Sequence, residues 1–331
     1  MLRILTLLIS GLLMSPGSWA VCTLARGTPT SLTIDAKTII ISADAPVSTS
    51  TPIAQYDSPT VGGAGVGYDD CINGTEYGKR ALSLSVQDTS TKIYATNIPG
   101  IGIKMLASNG SAFGYFPSTS YLSFPDGSSV GSLDIPPQSF YRIQFYKLSN
   151  NLRLANAATG DTILPAGQIG YNYILSDNPA SFTHSLSIGE MKIISTPACT
   201  ADNAKTIDFN DVTPTLLKAG VTRNLDFAIV CKSDYGSYSA SASMITNTPT
   251  ADGSFIRIKD SDGNMDRLKI RITDGDKKTM KVDGSTSESS RVITSQGPAE
   301  FAWKATLLQG NGTAPAGGLF TAKAEIIFSI Q

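Results

Sequence analysis

The segment Gly127–Gly131 reads Gly-Ser-Ser-Val-Gly and fits the G-x-S-x-G pattern of serine hydrolases. In that pattern the nucleophilic serine stands on a sharp turn between a strand and a helix. Pro136 and Pro137 follow a few residues later and are incompatible with such a helix. A hairpin turn at Asp126-Gly127 explains the segment better. We therefore expect no enzymatic activity and no catalytic residue.

The only histidine, His184, is the one conventional general base available to such a serine. It lies in Ser181–His184, which we interpret as a strand or an edge loop. A lone histidine in that setting is more often structural than catalytic. One histidine in 331 residues also removes the usual residue of most acid–base and zinc chemistry.

Two other segments have the composition of ligand-binding loops without the required spacing. Residues 260–266 alternate like the start of a calcium loop, but Met265 and Arg271 stand where that loop needs a glycine and a glutamate. The glycine-rich segment Gly62–Gly67 lacks the dinucleotide-binding spacing. The four cysteines lack C-x-x-C spacing, which argues against zinc and redox roles. We expect no metal and no cofactor.

The composition is that of a globular protein, with 41% apolar and 16% charged residues in a chain of 331. At roughly 150 residues per domain, this length predicts two domains. The formal net charge of −1 argues against nucleic acid as a partner, because binding to phosphates needs a basic surface.

The first twenty residues resemble a secretory signal peptide. Arg3 is followed by the apolar run Ile4–Leu13, and Ser18-Trp19-Ala20 supplies small residues for cleavage. We expect residues 1–20 to be removed and the rest of the chain to reach an oxidising compartment. The four cysteines then suit two disulfides, for which three pairings are open. If each of the two domains contains one disulfide, the favoured pairs are Cys22–Cys71 and Cys199–Cys231.

The remaining sequence is typical of strands and tight turns. Asp-Gly occurs five times and Asn-Gly three times, and both dipeptides favour hairpin turns. No long window has helical periodicity, so we predict an all-β protein with almost no helix. A boundary near Pro197 separates two pairs of cysteines. We therefore predict domains at residues 21–196 and 197–331.

The last eight residues form an alternating strand whose apolar face comprises Ala324, Ile326, Phe328 and Ile330. The printed sequence stops at Gln331, directly after this strand. We therefore ask what pairs with the strand's far edge, because an open edge readily accepts another chain.

These features resemble the two-domain tip adhesins of bacterial chaperone–usher fimbriae. Cys199-Thr200, an early strand around Thr206–Phe209, Cys231 and the strand 324–330 resemble a pilin domain. The segment Ile93–Ile103 and the junction Pro197–Thr200 resemble the type 3 (MrkD-like) adhesins. The N-terminal part is similar, more distantly, to the type 1 mannose-binding adhesin.

The resemblance implies two immunoglobulin-like or jelly-roll β-sandwiches in tandem, the second lacking its last strand. A neighbouring pilin subunit would donate that strand. A periplasmic chaperone and an outer-membrane usher would be the other assembly partners, and the chain would reach the fimbrial tip on the cell surface through the periplasm. Because its N-terminus is committed to a second domain, the chain is expected to receive a strand but not to donate one. The implied chaperone and donor-strand interface comprises Ile207, Phe209, Ala324, Ile326, Phe328 and Ile330.

The resemblance also implies a receptor site for a host glycan or extracellular-matrix protein in residues 21–196. In the mannose-binding relatives, polar residues just after the second cysteine form part of the sugar pocket. Asn73 matches an asparagine of that pattern, whereas Gly74 replaces a pocket carboxylate. The candidate receptor-binding residues are Asn73, Glu76, Tyr77, Tyr56, Asn150 and Asn151. The alternative is a structural tip or initiator subunit without a specific ligand.

Overall fold

The computed structural model describes residues 22–84, 86–175, 181–311 and 313–331. The predicted signal peptide, residues 1–20, lies outside these ranges. Strands dominate the described chain, and its one α-helix is α1, Pro214–Ala219. Thr213 caps α1 at its N-terminus and Gly220 ends it. Among the described residues, no helix is long and apolar enough to cross a membrane.

The N-terminal half, residues 22–196, is built from short strands joined by turns. In chain order these are β1 Thr23–Arg26, β2 Thr30–Ile34, β3 Lys37–Ser42, β4 Ala54–Asp57, β5 Val66–Ile72, β6 Glu76–Ala81, β7 Gln87–Asp88, β8 Ile93–Ala95, β9 Ile101–Ser108, β10 Phe113–Tyr115, β11 Ser118–Tyr121, β12 Val130–Ile135, β13 Phe140–Lys147, β14 Asp161–Leu164, β15 Gly167–Ile174, β16 Phe182–Ile188 and β17 Met191–Thr196.

Two layers of these strands enclose one core. One layer has the order β4-β13-β9-β8-β7, with β10 also on β9. The other consists of β11-β6-β15-β16-β2 and β14-β17-β3. Alternate side chains of β13, such as Tyr141 and Ile143, are buried against residues of the opposite layer, such as Leu186. This alternation is why a period of two in the sequence places one face in the core.

A third, small sheet of order β1-β5-β12 closes one end of the N-terminal half. The disulfide Cys22–Cys71 joins its first two strands, as predicted. Both cysteines belong to a separate apolar cluster with Val66, Tyr68 and Leu122. The bridge and this cluster therefore stabilise the end of the molecule that carries the β5–β6 turn.

The polypeptide changes from one set of sheets to the other at Pro197. Strand β17 pairs in parallel with β3, whereas the next strand, beginning at Ala198, pairs with strands further along the chain. Because proline lacks an N–H group, it cannot continue the hydrogen-bonded ladder. The change of sheet therefore falls between Thr196, the last residue of β17, and Ala198.

The C-terminal half, residues 198–331, is a second strand assembly. Its strands are β18 Ala198–Ala201, β19 Val221–Lys232, β20 Ser237–Tyr238, β21 Ala240–Ile245, β22 Ile256–Ile258, β23 Leu268–Thr273, β24 Thr279–Met280, β25 Asp283–Ser289, β26 Ile293–Thr294, β27 Pro298–Gln309 and β28 Glu325–Ile330.

Two sheets face each other across the core of this half. The larger has the order β18-β19-β27-β23-β22, and the smaller has the order β25-β21-β28. Phe227, Phe301 and Trp303 of the larger sheet pack against Ala242 and Met244 of the smaller one. Cys199 lies directly opposite Cys231 in the ladder, and the predicted disulfide joins them. The expectation of two β-sandwiches in tandem is confirmed.

The edge beside β28 differs in two details from the sequence prediction. Residues 206–209 form no strand, because none of the described strands pairs with them. Phe209 is nevertheless buried, and Ile207 is half-buried against the same core. Ala324 is exposed and precedes β28, which begins at Glu325.

Candidate functional site

A cleft of 290 Å³ opens in the N-terminal half, between the ends of the two layers. We call it the distal cleft. Side chains from both layers and from the β12–β13 connection line it, including Tyr77, Lys79, Phe113, Ser139, Asn172 and His184. The strands that supply them are distant in sequence, so the fold, and not any local motif, assembles the cleft.

The distal cleft lies at the end of the N-terminal half that is remote from the C-terminal half. Ser139 stands at the start of β13, which is eight residues, or about 26 Å, long. At the other end of β13, the Lys147 ammonium donates a 2.8 Å hydrogen bond to the carbonyl oxygen of Ala43. Shortly after it, the Leu154 N–H donates to the Asp234 carbonyl oxygen of the C-terminal half at 3.0 Å.

His184 lies against the floor of the cleft and is only 2% exposed. Its Nδ1 is 3.1 Å from the Thr183 hydroxyl, and its ring centroid is 5.0 Å from that of Tyr141. Burial, with a smaller contribution from the charge of Lys79, lowers the pKa of His184 to about 3. The imidazole is therefore neutral near pH 7 and a poor general base, in agreement with a structural role.

Lys79 is the cationic group of the distal cleft. Its Nζ lies 3.4 Å from the Ser118 hydroxyl, and burial lowers the pKa of the amine. A Cβ at Gly114 would lie 2.8 Å from Nζ, so the absence of a side chain there leaves room for the ammonium. The cleft thus holds a partly dehydrated positive charge.

Two polar side chains of the cleft differ in whether their hydrogen-bonding groups have partners. Asn172 Oδ1 lies 3.0 Å from the Tyr141 hydroxyl, and the same hydroxyl lies 2.8 Å from the carbonyl oxygen of His184. Ser139 is only 2% exposed, yet its hydroxyl has no hydrogen-bond partner among the described residues. A buried hydroxyl without a partner is costly, which makes Ser139 the candidate for contact with a bound molecule.

Phe113 supplies an exposed aromatic surface at the cleft, with 43% of its area accessible. The Phe140 ring meets it edge-on at 5.7 Å, and the Arg142 guanidinium lies 4.7 Å from its centroid. Asp57 holds Arg142 through two hydrogen bonds of 2.7 Å. The aromatic face is therefore supported from behind by an ordered set of side chains.

Three of the six residues predicted for the receptor site lie at this end of the molecule. Tyr77 lines the cleft, and the Glu76 carboxylate accepts a 2.7 Å hydrogen bond from Tyr173, another lining residue. Asn73 is exposed in the neighbouring β5–β6 turn, where its N–H donates to the Ser129 carbonyl oxygen at 2.9 Å.

The other three predicted residues are not brought to the cleft. Tyr56 lies opposite Ile143 in the middle of β13 and lines a separate hollow beside Lys37. Asn150 and Asn151 are exposed in the loop after β13, at the end that faces the C-terminal half. A single receptor site cannot include all six residues.

The G-x-S-x-G segment lies in a turn followed by a strand. Gly127 has a φ of 75°, and the Ser128 N–H donates to the Asp126 carboxylate at 3.0 Å. Strand β12 begins at Val130, where a hydrolase would need a helix. The predicted turn is present, but it is not a hairpin, because the flanking strands β11 and β12 pair with β6 and β5 and not with each other.

A second candidate surface is the outer edge of β28 in the C-terminal half. Ile326, Phe328 and Ile330 are half-buried on one face, and their neighbours in sequence are exposed on the other. The Phe328 ring lies 5.8 Å from that of Phe227 and 6.0 Å from that of Phe301. Only β21 pairs with β28 among the described strands, so its far edge is open.

The solved structures that match the chain include three of low sequence identity. The receptor binding domain of the plasmid-born adhesin MrkD1P of Klebsiella pneumoniae is 18% identical, covers 54% of this chain and 98% of its own, and has a TM-score of 0.40. The CupB6 tip adhesin from Pseudomonas aeruginosa is 11% identical, with coverages of 93% and 92% and a TM-score of 0.36. CsuE, from a chaperone–tip subunit complex of Acinetobacter baumannii, is 10% identical, with coverages of 93% and 99% and a TM-score of 0.39.

The comparison with curated proteins gives no match. A family model described as fimbrial protein matches residues 189–331, which contain the second disulfide and β28. This match confirms the pilin resemblance of the C-terminal part.

Proposed function

We propose that the chain is a tip adhesin of a chaperone–usher fimbria. Residues 21–196 are the receptor-binding domain, and residues 197–331 are the pilin domain that attaches it to the fibre. The observation that carries this proposal is the open edge of β28 in a part of the chain that matches the fimbrial protein family.

The arrangement around β28 supports the addition of a strand from another chain. Ile207 and Phe209 pack against the same core as Phe328, but residues 206–209 do not pair with β28. An extended segment on the edge of β28 would complete the backbone ladder and cover its half-buried apolar face. The donor is the N-terminal extension of the neighbouring pilin subunit.

The energetic scale explains why such a subunit needs help before assembly. Ile326, Phe328 and Ile330 are already half-buried, so completing their burial is worth about half of the roughly 1.5–3 kcal/mol that a fully exposed side chain would gain. Their sum is still a sizeable part of the roughly 5–15 kcal/mol that stabilises a whole domain. A periplasmic chaperone therefore holds the subunit, and the outer-membrane usher passes it to the tip of the growing fibre on the cell surface.

Substitutions on the two faces of β28 test the strand-acceptor role. Phe328→Asp places a charge on the covered face, and Ile327→Asp places the same charge on the next residue, which is 43% exposed. After co-expression with the chaperone, we expect Phe328→Asp to abolish co-purification and Ile327→Asp to retain it. Deletion of residues 324–331 should also abolish it.

Phe328→Asp could lose chaperone binding simply because it misfolds, so a gain-of-function variant provides a second test. The N-terminal extension of the neighbouring pilin, fused after Gln331 through a short flexible linker, supplies the strand within one chain. We expect this self-complemented chain to fold and accumulate without the chaperone. Continued dependence on the chaperone, or normal capture of Phe328→Asp, contradicts the proposal.

The distal cleft favours an adhesin over a structural tip subunit without a ligand. It combines an unpartnered buried hydroxyl, a partly dehydrated ammonium and an exposed aromatic ring. Such groups are costly or unnecessary in a purely structural domain. The ligand we propose is a host glycan or a protein of the extracellular matrix.

A further inference from the structure

We propose that the distal cleft binds a saccharide residue that carries an acidic group, with the acidic group at Lys79 and the sugar ring against Phe113. This inference rests on the proposed adhesin function and goes further by naming the cleft and the chemical class of its ligand. It makes Lys79, Ser139 and Phe113 the residues that determine binding.

The position of the cleft suits contact with a surface beyond the fibre. It opens at the end of the N-terminal half opposite the loop that contacts Asp234. In a fibre attached through the C-terminal half, this end points away from the other subunits. The exposed side chains Tyr121 and Val130 lie near the same end, so a ligand longer than one residue has further surface to contact.

Ser139 indicates that the cleft is completed by a hydrogen-bonding ligand. Its hydroxyl is buried, lines the cleft and has no partner among the described residues. A sugar hydroxyl both donates and accepts hydrogen bonds and would satisfy it. The neighbouring Asn172 and Thr183 already have partners, which hold them in place as the wall of the cleft.

Lys79 indicates that the ligand is acidic. An ammonium has three donors, and the one partner described for Nζ is the Ser118 hydroxyl at the long distance of 3.4 Å. The nearby carboxylate of Asp134 is occupied by a salt bridge to Arg26. His184 is neutral near pH 7, so Lys79 is the cationic side chain among the described residues that line the cleft. A carboxylate or sulfate of the ligand would therefore compensate the partly dehydrated charge of Lys79.

Phe113 and the size of the cleft indicate a sugar ring. Saccharides present a face of C–H groups that packs on an aromatic ring, and Phe113 offers such a ring already supported by Phe140 and Arg142. The volume of 290 Å³ is near the lower end of the roughly 300–1,000 Å³ of small-molecule sites. This space suits one or two sugar residues.

The test uses bacteria that display the full chain on assembled fimbriae and carry no other adhesin. The probes are oligosaccharides that end in N-acetylneuraminic or glucuronic acid, and the same oligosaccharides with the carboxylate reduced to an alcohol. We expect the acidic forms to bind about tenfold or more tightly than the reduced forms, as for a hydrogen bond to a charged group. Equal binding, or binding of neither form, overturns the proposal.

Three variants assign the contacts. Lys79→Gln should remove the preference for the acidic form, and Ser139→Ala should weaken binding of both forms by a similar factor. Lys37→Gln is the matched control, because it removes a lysine charge beside the separate hollow at Tyr56. An unchanged preference in Lys79→Gln, or an equal loss in Lys37→Gln, overturns the assignment.

Electron microscopy of the same cells distinguishes a failure of the proposed tip adhesin function from a failure of this inference. A chain that never enters fimbriae counts against the proposed tip adhesin function. A chain that is displayed at the tip but shows no preference for acidic saccharides counts against this inference alone.

Discussion

At the scale of single residues, His184 shows how burial decides a chemical role. The side chain is 2% exposed and faces Thr183, Tyr141 and the charge of Lys79. Its pKa of about 3 lies far below the roughly 6.5 expected in the unfolded chain. The unfolded state therefore binds an extra proton between these two values, and the folded state becomes less stable as the pH falls through that range.

This difference in pKa gives a testable pH dependence. The folding free energy linked to His184 is fully present above about pH 6.5 and is lost progressively toward pH 3. Between pH 7.5 and pH 4.5 this loss amounts to about 2–3 kcal/mol. We expect His184→Gln, which does not titrate, to lack this component. Urea unfolding of the self-complemented chain, followed by tyrosine near-ultraviolet circular dichroism, measures it. If the free energy of unfolding changes equally with pH in the two proteins, the assignment to His184 is contradicted.

Sequence patterns alone indicate one group of residues near the candidate site, but they do not show which other residues the fold brings there. Tyr77 was found because it follows a cysteine in a turn, which is a local signal. Lys79 and Ser139 were missed, because they are about sixty residues apart in the sequence and owe their roles to burial in the fold. Asn150 follows a strand, and a strand has two ends that a linear pattern does not distinguish.

At the scale of elements, the disulfide Cys199–Cys231 attaches the short strand β18 to β19. It closes a loop with a sequence separation of 32, for which the loss of chain entropy in the unfolded state is worth about 3–4 kcal/mol. We expect Cys199→Ala combined with Cys231→Ala to destabilise the C-terminal half by roughly this amount. The buried Trp303 is the only tryptophan after residue 20, so its fluorescence reports unfolding of that half.

The other disulfide provides the matched control for this prediction. Cys22→Ala combined with Cys71→Ala removes a bridge with a sequence separation of 49 from the N-terminal half. It should leave the urea midpoint of the Trp303 signal unchanged in the self-complemented chain. An equal shift from both pairs would show that the two halves unfold as one unit.

Strands with clear alternation were predictable, and those that depend on a distant partner were not. Lys37–Ser42, which forms β3, contains a run of β-branched residues, and such a run favours extended backbone. Residues 206–209 have a similar pattern, but an isolated segment forms no ladder without a neighbour. The conformation of their backbone depends on the strand that we propose another subunit supplies. This sequence does not contain that strand.

At the scale of the whole molecule, a small polar junction joins the two halves. The Ser195 hydroxyl donates a 2.7 Å hydrogen bond to the Asp234 carboxylate, and the Ser195 N–H donates to the Tyr235 hydroxyl at 3.1 Å. Tyr235 also packs against the core of the N-terminal half. Asp234 and Ser195 are both buried, so water does not compete with these bonds.

The junction predicts that the two halves keep one relative orientation. Its hydrogen bonds contribute about 1 kcal/mol each, so loss of several of them together should allow the halves to move about Pro197. We expect Asp234→Ala combined with Tyr235→Ala to raise the radius of gyration of the self-complemented chain in small-angle X-ray scattering. Asp226→Ala, at an exposed position on β19, is the control and should scatter like the unmodified chain. An unchanged radius in the double variant would mean that the backbone at Pro197, and not the side-chain junction, sets the orientation in which the fibre presents the distal cleft.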